Sequence, residues 1–137
     1  MTFQIFNPPE LGAHKGWTNG ILAPAGGRIL FVAGQEGWEE SAQGRPPDFA
    51  EQFAHALDKV LAVVRAAGGA PTDIARLTIY TTSLDAYTNA LKPLGEAWRA
   101  RLQTYYPAVA LVEVKGLVAP ACVVEIEATA VIGGGGA

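Results

Sequence analysis

The chain has 137 residues, half of them hydrophobic and only 17% charged, with a net charge of −3. That balance suits one domain with a sizeable core, and the missing basic stripe argues against nucleic acid as a partner. No apolar run approaches a membrane span, Met1-Thr2-Phe3-Gln4 carries no basic segment ahead of an apolar one, and the lone Cys122 has no disulfide partner, so a reduced cytoplasmic setting is expected.

Phe3 to Phe6 reads as a short strand stopped by Asn7-Pro8-Pro9, because proline removes a ladder donor. Thr18 to Ala23 and Arg28 to Ala33 read as two further strands, and Pro24-Ala25-Gly26-Gly27 between them reads as a hairpin loop. Glu36 to Pro47 is polar and rich in glycine and proline, hence a loop. Asp48 to Ala67 is the clearest helix: Phe49, Phe53, Ala56, Leu57, Val60 and Val64 share one face, Asp48 is placed to cap it, and Gly68-Gly69 ends it. Asp73 to Thr82 alternates and is β-branched, as a strand does. Leu84 to Gln103 has a helical stripe of Tyr87, Leu91, Leu94, Trp98 and Leu102, with a kink or break expected near Lys92 because of Pro93. Val109 to Lys115 and Cys122 to Val131 complete the strands. Residues 1–132 form one domain, and 133–137 is a glycine-rich tail.

The order β-β-β-α-β-α-β-β predicts one mixed sheet with both helices on one face. The other face needs cover, and an apolar content high for a chain this small predicts that neighbouring subunits supply it.

This order and several local motifs resemble the reactive-intermediate deaminase (Rid, or YjgF-like) family. The residues that carry the resemblance are Asn7-Pro8, Phe31-Val32-Ala33-Gly34-Gln35, Gln52 with Ala56 and Leu57, Ala66-Ala67-Gly68 before Asp73-Ile74, Pro107-Ala108, and Val123-Val124-Glu125-Ile126-Glu127-Ala128. The resemblance implies a chorismate-mutase-like α+β fold, a homotrimer with its sheets facing inward, small-molecule clefts between subunits, and water addition to imines or enamines without metal or cofactor. It further implies that Glu125 stands where the family carboxylate positions the attacking water. Trp17, Gln35, Val109, Ala110 and Leu111 would then line the substrate cleft, with backbone N–H groups near Ala110 and Leu111 stabilising charge.

Three polar positions depart from the family together: its N-terminal tyrosine falls at about Trp17, its second-helix asparagine near Leu91 or Lys92, and its clamp arginine at Val109. Typical members close the clamp with an arginine after Pro-Ala, and its guanidinium pairs with a substrate carboxylate. Here Val109 occupies that place. A preference for neutral substrates is therefore expected, with a non-catalytic small-molecule-binding trimer as the alternative.

The remaining candidates are weaker. Glu127 shares a strand face with Glu125, and Glu113 and Lys115 read as an ion pair two residues apart on one strand. Lys115, and equally Arg28, Arg76 or Arg101, is a cation that could substitute for the missing arginine. Cys122 reads as a small apolar strand residue rather than a nucleophile. His14 and His55 have no partner pattern, His55 reads as solvated, and two histidines with one cysteine offer no metal-ligand spacing. Trp98 and Phe53 read as helical core.

Overall fold

The computed structural model describes residues 2–13, 16–39, 44 and 46–133. The elements run β1 (Gln4–Phe6), β2 (Gly20–Leu22), β3 (Arg28–Glu36), α1 (Phe49–Ala66), β4 (Ile74–Thr81), α2 (Leu84–Thr88), α3 (Leu91–Leu102), β5 (Ala108–Glu113) and β6 (Val124–Ile132). The α+β class and the strand–helix order agree with the sequence reading. His14 and residues 134–137 of the expected tail lie outside the described residues.

The main sheet has four strands in the order β3-β6-β4-β5. Only β4 and β5 are parallel, and β6 is antiparallel to both its neighbours. Strand β6 shows why the layers separate. Val124, Ile126, Ala128 and Ala130 are buried toward the helices, while Glu125, Glu127 and Thr129 alternate onto the opposite face. Helix α1 presents Phe53, Leu57, Val60 and Val64 to this surface, each nearly or fully buried. Burying side chains of this size contributes roughly 1.5–3 kcal/mol apiece, so α1 is the main clamp on the sheet.

Local chemistry sets the bounds of α1. The Asp48 carboxylate accepts a 2.9 Å hydrogen bond from the Glu51 N–H. At the far end Gly68 turns to φ +85°, which suits a residue without Cβ, and the Gly68 and Gly69 N–H groups close on the Arg65 and Val64 carbonyls.

One expectation is corrected and one is shifted. Arg28 to Ala33 does not form a hairpin with the preceding strand. Instead β2 pairs with β1, through Gln4–Leu22, Ile5–Ile21 and Phe6–Gly20, as a separate two-stranded sheet. The edge of β3 is taken by β6, which offers nine residues of apolar alternation where β2 offers three. The break expected in the second helical stripe is present, and only its place shifts, dividing the stripe into two helices. Ser83 caps α2, accepting from the Ala86 N–H at 3.0 Å, and the chain breaks at Asn89–Ala90, just before the position expected from Pro93. Pro93 then falls in the first turn of α3, where N–H groups have no intrahelical acceptor and proline is tolerated.

One buried polar side chain joins three segments. Gln52 on α1 is 1% exposed. Its amide N–H groups donate to the Pro47 and Ala121 carbonyls at 3.1 and 3.3 Å, and its side-chain oxygen accepts from the Val123 N–H at 2.9 Å. The chain entering β6 is thereby fixed to the helix layer. Gln52→Leu should lose about 2–4 kcal/mol of unfolding free energy in urea, because it strands three buried backbone groups. A loss under 0.5 kcal/mol would show that water replaces the amide there.

Candidate functional site

The cleft at the edge of the main sheet is built from three segments. Strand β5 is an edge strand, paired with β4 from Arg76–Ala108 to Thr81–Glu113. Thr18 lays the N-terminal loop along this edge through a parallel bridge to Ala108, and so brings Trp17 beside Val109. Helices α2 and α3 close the far wall with Tyr87, Leu91 and Trp98. The cleft, open on one side, has a volume of about 670 Å³, ample for a small molecule.

Aromatic rings dominate this cavity. Trp98 and Tyr106 lie stacked, centroids 5.8 Å apart and planes 12° from parallel. The Trp98 indole N–H donates to the Tyr105 carbonyl at 3.1 Å, which fixes the ring's orientation. Burial pushes the Tyr105 phenol up to about 12, helped by the nearby Asp73, and its hydroxyl donates to the Ile74 carbonyl. Among the described residues lining the cavity none is charged. A carboxylate or ammonium ligand would lose water there and find no counter-ion among those residues.

The other face of the same sheet carries the opposite chemistry. Glu125 and Glu127 project there from β6, with Tyr80 and Thr78 of β4 in register beside them. The Tyr80 hydroxyl donates to Glu127 at 2.5 Å, and that hydrogen bond raises the Tyr80 pKa. Burial lifts the Glu125 pKa above its ordinary 4.5, and the charges of Glu36 and Glu127 add to the effect. Register explains the proximity of Glu36, which pairs directly with Glu125. Gly34 sits in the irregular stretch of β3 between Val32 and Gln35, where the ladder shifts. A Cβ at Gly34 would come within 2.7 Å of the Glu125 carboxyl carbon, so glycine there is what lets the carboxylate lie against the backbone.

The residues singled out from sequence thus divide into two groups within one chain. Trp17, Val109 and Leu111 line the aromatic cavity. Glu125 lies on the opposite sheet face, and Ala110 shares that face because it pairs with Thr78. Gln35 pairs with Ile126, and its side-chain amide donates to the Ala33 carbonyl rather than reaching either group. Period-2 alternation separates Val109 and Leu111 from Ala110, so no rearrangement within one chain unites them.

Several secondary expectations change. Lys115 lies beyond the end of β5, and the Glu113 carboxylate accepts from the Leu84 N–H at 3.0 Å instead of meeting it. Arg101 is held by Asp58 in two hydrogen bonds of 2.7 and 3.1 Å, which lower the Asp58 pKa and tie α3 to α1. It therefore does not stand in for the missing arginine. The exposed His55 ring has Nδ1 3.3 Å from the Gly37 carbonyl. Cys122 is 1% exposed, its thiol donates to the Trp38 carbonyl, and burial with the Glu36 charge pushes its pKa up, all against a nucleophilic role. Trp98 is half-buried and lines the cavity, whereas Phe53 is core and also touches it.

Sequence reading missed Tyr87 and Tyr106 as cavity residues, and gave Trp98 to the core. Their helical and turn spacing matches a core stripe as well as a cavity wall. The available signal was density: Trp98, Tyr105 and Tyr106 are three large rings within nine residues, more than one short helix end needs for packing.

The comparisons with known proteins agree with this architecture. The model of the Endoribonuclease L-PSP family matches residues 10–132. A Yersinia pestis protein, YyfB of the conserved Rid family, is 26% identical with a TM-score of 0.75, over 96% of this chain and all of its own. Escherichia coli TdcF, solved with bound serine, is 27% identical with a TM-score of 0.65, over 86% of this chain and 95% of its own. The Escherichia coli YjgF gene product is 26% identical with a TM-score of 0.65, over 85% and 94%. No curated protein matches. A family model spanning nearly the whole described chain, with the same fold in relatives of like length, places this protein in the YjgF/Rid (Endoribonuclease L-PSP) family.

Proposed function

We propose that this protein is a homotrimeric, cofactor-independent hydrolase of imine- or enamine-type metabolites, with a cleft suited to neutral, flat and largely apolar substrates. The observation that carries this reading is the cavity beside β5, walled by stacked aromatic rings and Val109, with no charged side chain among its described lining residues. The serine bound to TdcF is a charged amino acid. An aromatic cavity with valine in the clamp position offers such a ligand no charged partner among its described lining residues.

The assembly follows from the open sheet face. Phe31 is 77% exposed there, Ile29 62% and Val112 44%. Apolar side chains interleaved with Glu125, Glu127 and Tyr80 suit a surface that meets another copy. Cover by neighbouring subunits would also let Glu125 of one copy approach the cavity of the next, which alternation forbids within a single chain. Glu125 would then serve as general base: its raised pKa brings it toward the operating pH, where a carboxylate removes a proton from water most effectively. Water adds to the C=N carbon, the nitrogen takes up the proton, and ammonia leaves as the carbonyl forms.

A second reading is binding without turnover, favoured by the separation of Glu125 from Val109 on opposite sheet faces. RNA cleavage has less support, because Arg76 stands on the open sheet face while Arg101 is ion-paired to Asp58 on the helix layer. Among the described residues no helix is long and apolar enough to cross a membrane. A reduced, cytoplasmic setting suits the free, buried thiol of Cys122.

Sedimentation equilibrium at micromolar concentration should give three times the chain mass, and a monomer there would remove the shared cleft and the role of Glu125. Hydrolysis of 2-iminopropanoate should be weak, since a charge-assisted clamp contributes roughly 2–5 kcal/mol in a desolvated site. Val109→Arg should raise that rate by tenfold or more, and ammonia release by the wild type at rates unaffected by this change would overturn the neutral-substrate reading. Glu125→Gln should cut turnover of a neutral imine about 100-fold.

Stability should respond to the same carboxyl group. Its folded pKa lies above the ordinary 4.5, so the fold favours the protonated form. That contribution is complete at low pH and is lost as pH rises through the folded pKa. Glu125→Gln, which resembles the protonated acid, should therefore melt higher than wild type at pH 7, with the gap closing below about pH 4. A lower Tm for the variant at pH 7 would mean that the ionised carboxylate is stabilised by a partner.

A further inference from the structure

A second cavity, about 600 Å³ in volume, adjoins the aromatic one, and the two share Gly16, Trp17, Thr18 and Tyr106 as a common wall. Its far side differs in chemistry. Thr2 and Asn7 come from the N-terminal segment, Thr72 from the turn before β4, and Thr104 from the turn after α3. Like the aromatic lobe, it has no charged side chain among its described lining residues. Two of its polar groups are already committed: the Asn7 side-chain oxygen accepts from the backbone and side chain of Asn19, and the Tyr105 hydroxyl donates to Ile74. Thr2, Thr72 and Thr104 line that side, and a threonine hydroxyl both donates and accepts.

We propose that the two cavities form one two-lobed site, whose ligand is a neutral molecule with a flat unsaturated ring or head in the aromatic lobe and a hydroxylated tail in the threonine-lined lobe. The inference deepens the small-molecule reading given above and rests on it. The stacked Trp98–Tyr106 pair orders the ring lobe, and Tyr106 carries that order to the boundary between lobes. Trp17 stands at the same boundary, 47% exposed, so a ligand spanning both lobes would cover its indole. Hydroxyls match the second lobe because they exchange donors and acceptors with threonine at no cost in charge, whereas a carboxylate there would be desolvated with no cation among the described lining residues. Thr72 and Thr104 are the specificity-determining residues assigned to the tail, and both are exposed in the fold, so their replacement leaves the core intact.

The test is calorimetric titration of the full-length protein with four probes: phenol for the ring alone, phenyl β-D-glucoside for ring plus neutral tail, glucose for the tail alone, and phenyl β-D-glucuronide for a charged tail. Phenyl glucoside should bind about tenfold more tightly than phenol, as two or three neutral hydrogen bonds provide. The glucuronide should lose that gain, and glucose alone should not bind measurably. The double variant Thr72→Val, Thr104→Val should reduce glucoside affinity to that of phenol while leaving phenol binding and Tm unchanged. Equal affinities for phenol and its glucoside, or a double variant with undiminished preference, would overturn the two-lobed site and leave the aromatic cavity standing. Failure of phenol and glucoside alike would overturn the aromatic cavity as a ligand site and this inference with it.

Discussion

The alternation along β6 is the constraint on which the rest of the structure depends. Its apolar residues Val124, Ile126, Ala128 and Ala130 meet α1, and the strand is held between β3 and β4 by antiparallel ladders on both sides. The same alternation sends Glu125 and Glu127 to the opposite face. Core and carboxylate row are two consequences of one pattern. Moving either by a single residue would bury two carboxylates under α1 and expose the core. Gln52 guards against that slip, because its three hydrogen bonds fix where the chain enters β6.

From that register the chemistry of the two sheet faces follows. The irregularity in β3 brings Gly34 under Glu125 and sets Glu36 opposite it, and burial, with the charges of Glu36 and Glu127 added, raises the Glu125 pKa. On the helix side β5 contributes only Val109 and Leu111 to the cavity, and the loop bridged at Thr18 adds Trp17. Acid and cavity are kept apart by the thickness of the sheet. Within one chain no reaction can use both, and Phe31 and Ile29 stand exposed on the face that carries the acid.

Val109 is not an isolated apolar residue in a polar pocket, where it would leave a hole and stranded acceptors. Here the neighbourhood has the matching character: Trp17, Tyr87, Leu91, Trp98 and Tyr106 supply apolar surface, and no described lining residue is charged. The local choices agree with one another, as they do where a site is shaped for a ligand class.

The sequence by itself determined the class of fold, the extent and cap of α1, the strand alternation of β4 and β6, and the apolar side chain that follows Pro107-Ala108. Each is written in residues close along the chain, where period, capping chemistry and residue type act directly. It also placed Glu125 and Glu127 on one face, since a period of two needs no tertiary knowledge. Tertiary structure decided the rest. The pairing of β2 with β1 rather than β3 depended on which strand β6 claimed, a competition among distant segments. The break in the second helical segment fell at Asn89–Ala90 because Pro93 could be absorbed in a new first turn. The commitment of Arg101 to Asp58 and of Glu113 to Leu84 reflects contacts between residues 43 and 29 positions apart. Above all, whether Tyr87, Trp98 and Tyr106 are core or cavity depends on what packs against them, and helical spacing is the same for both.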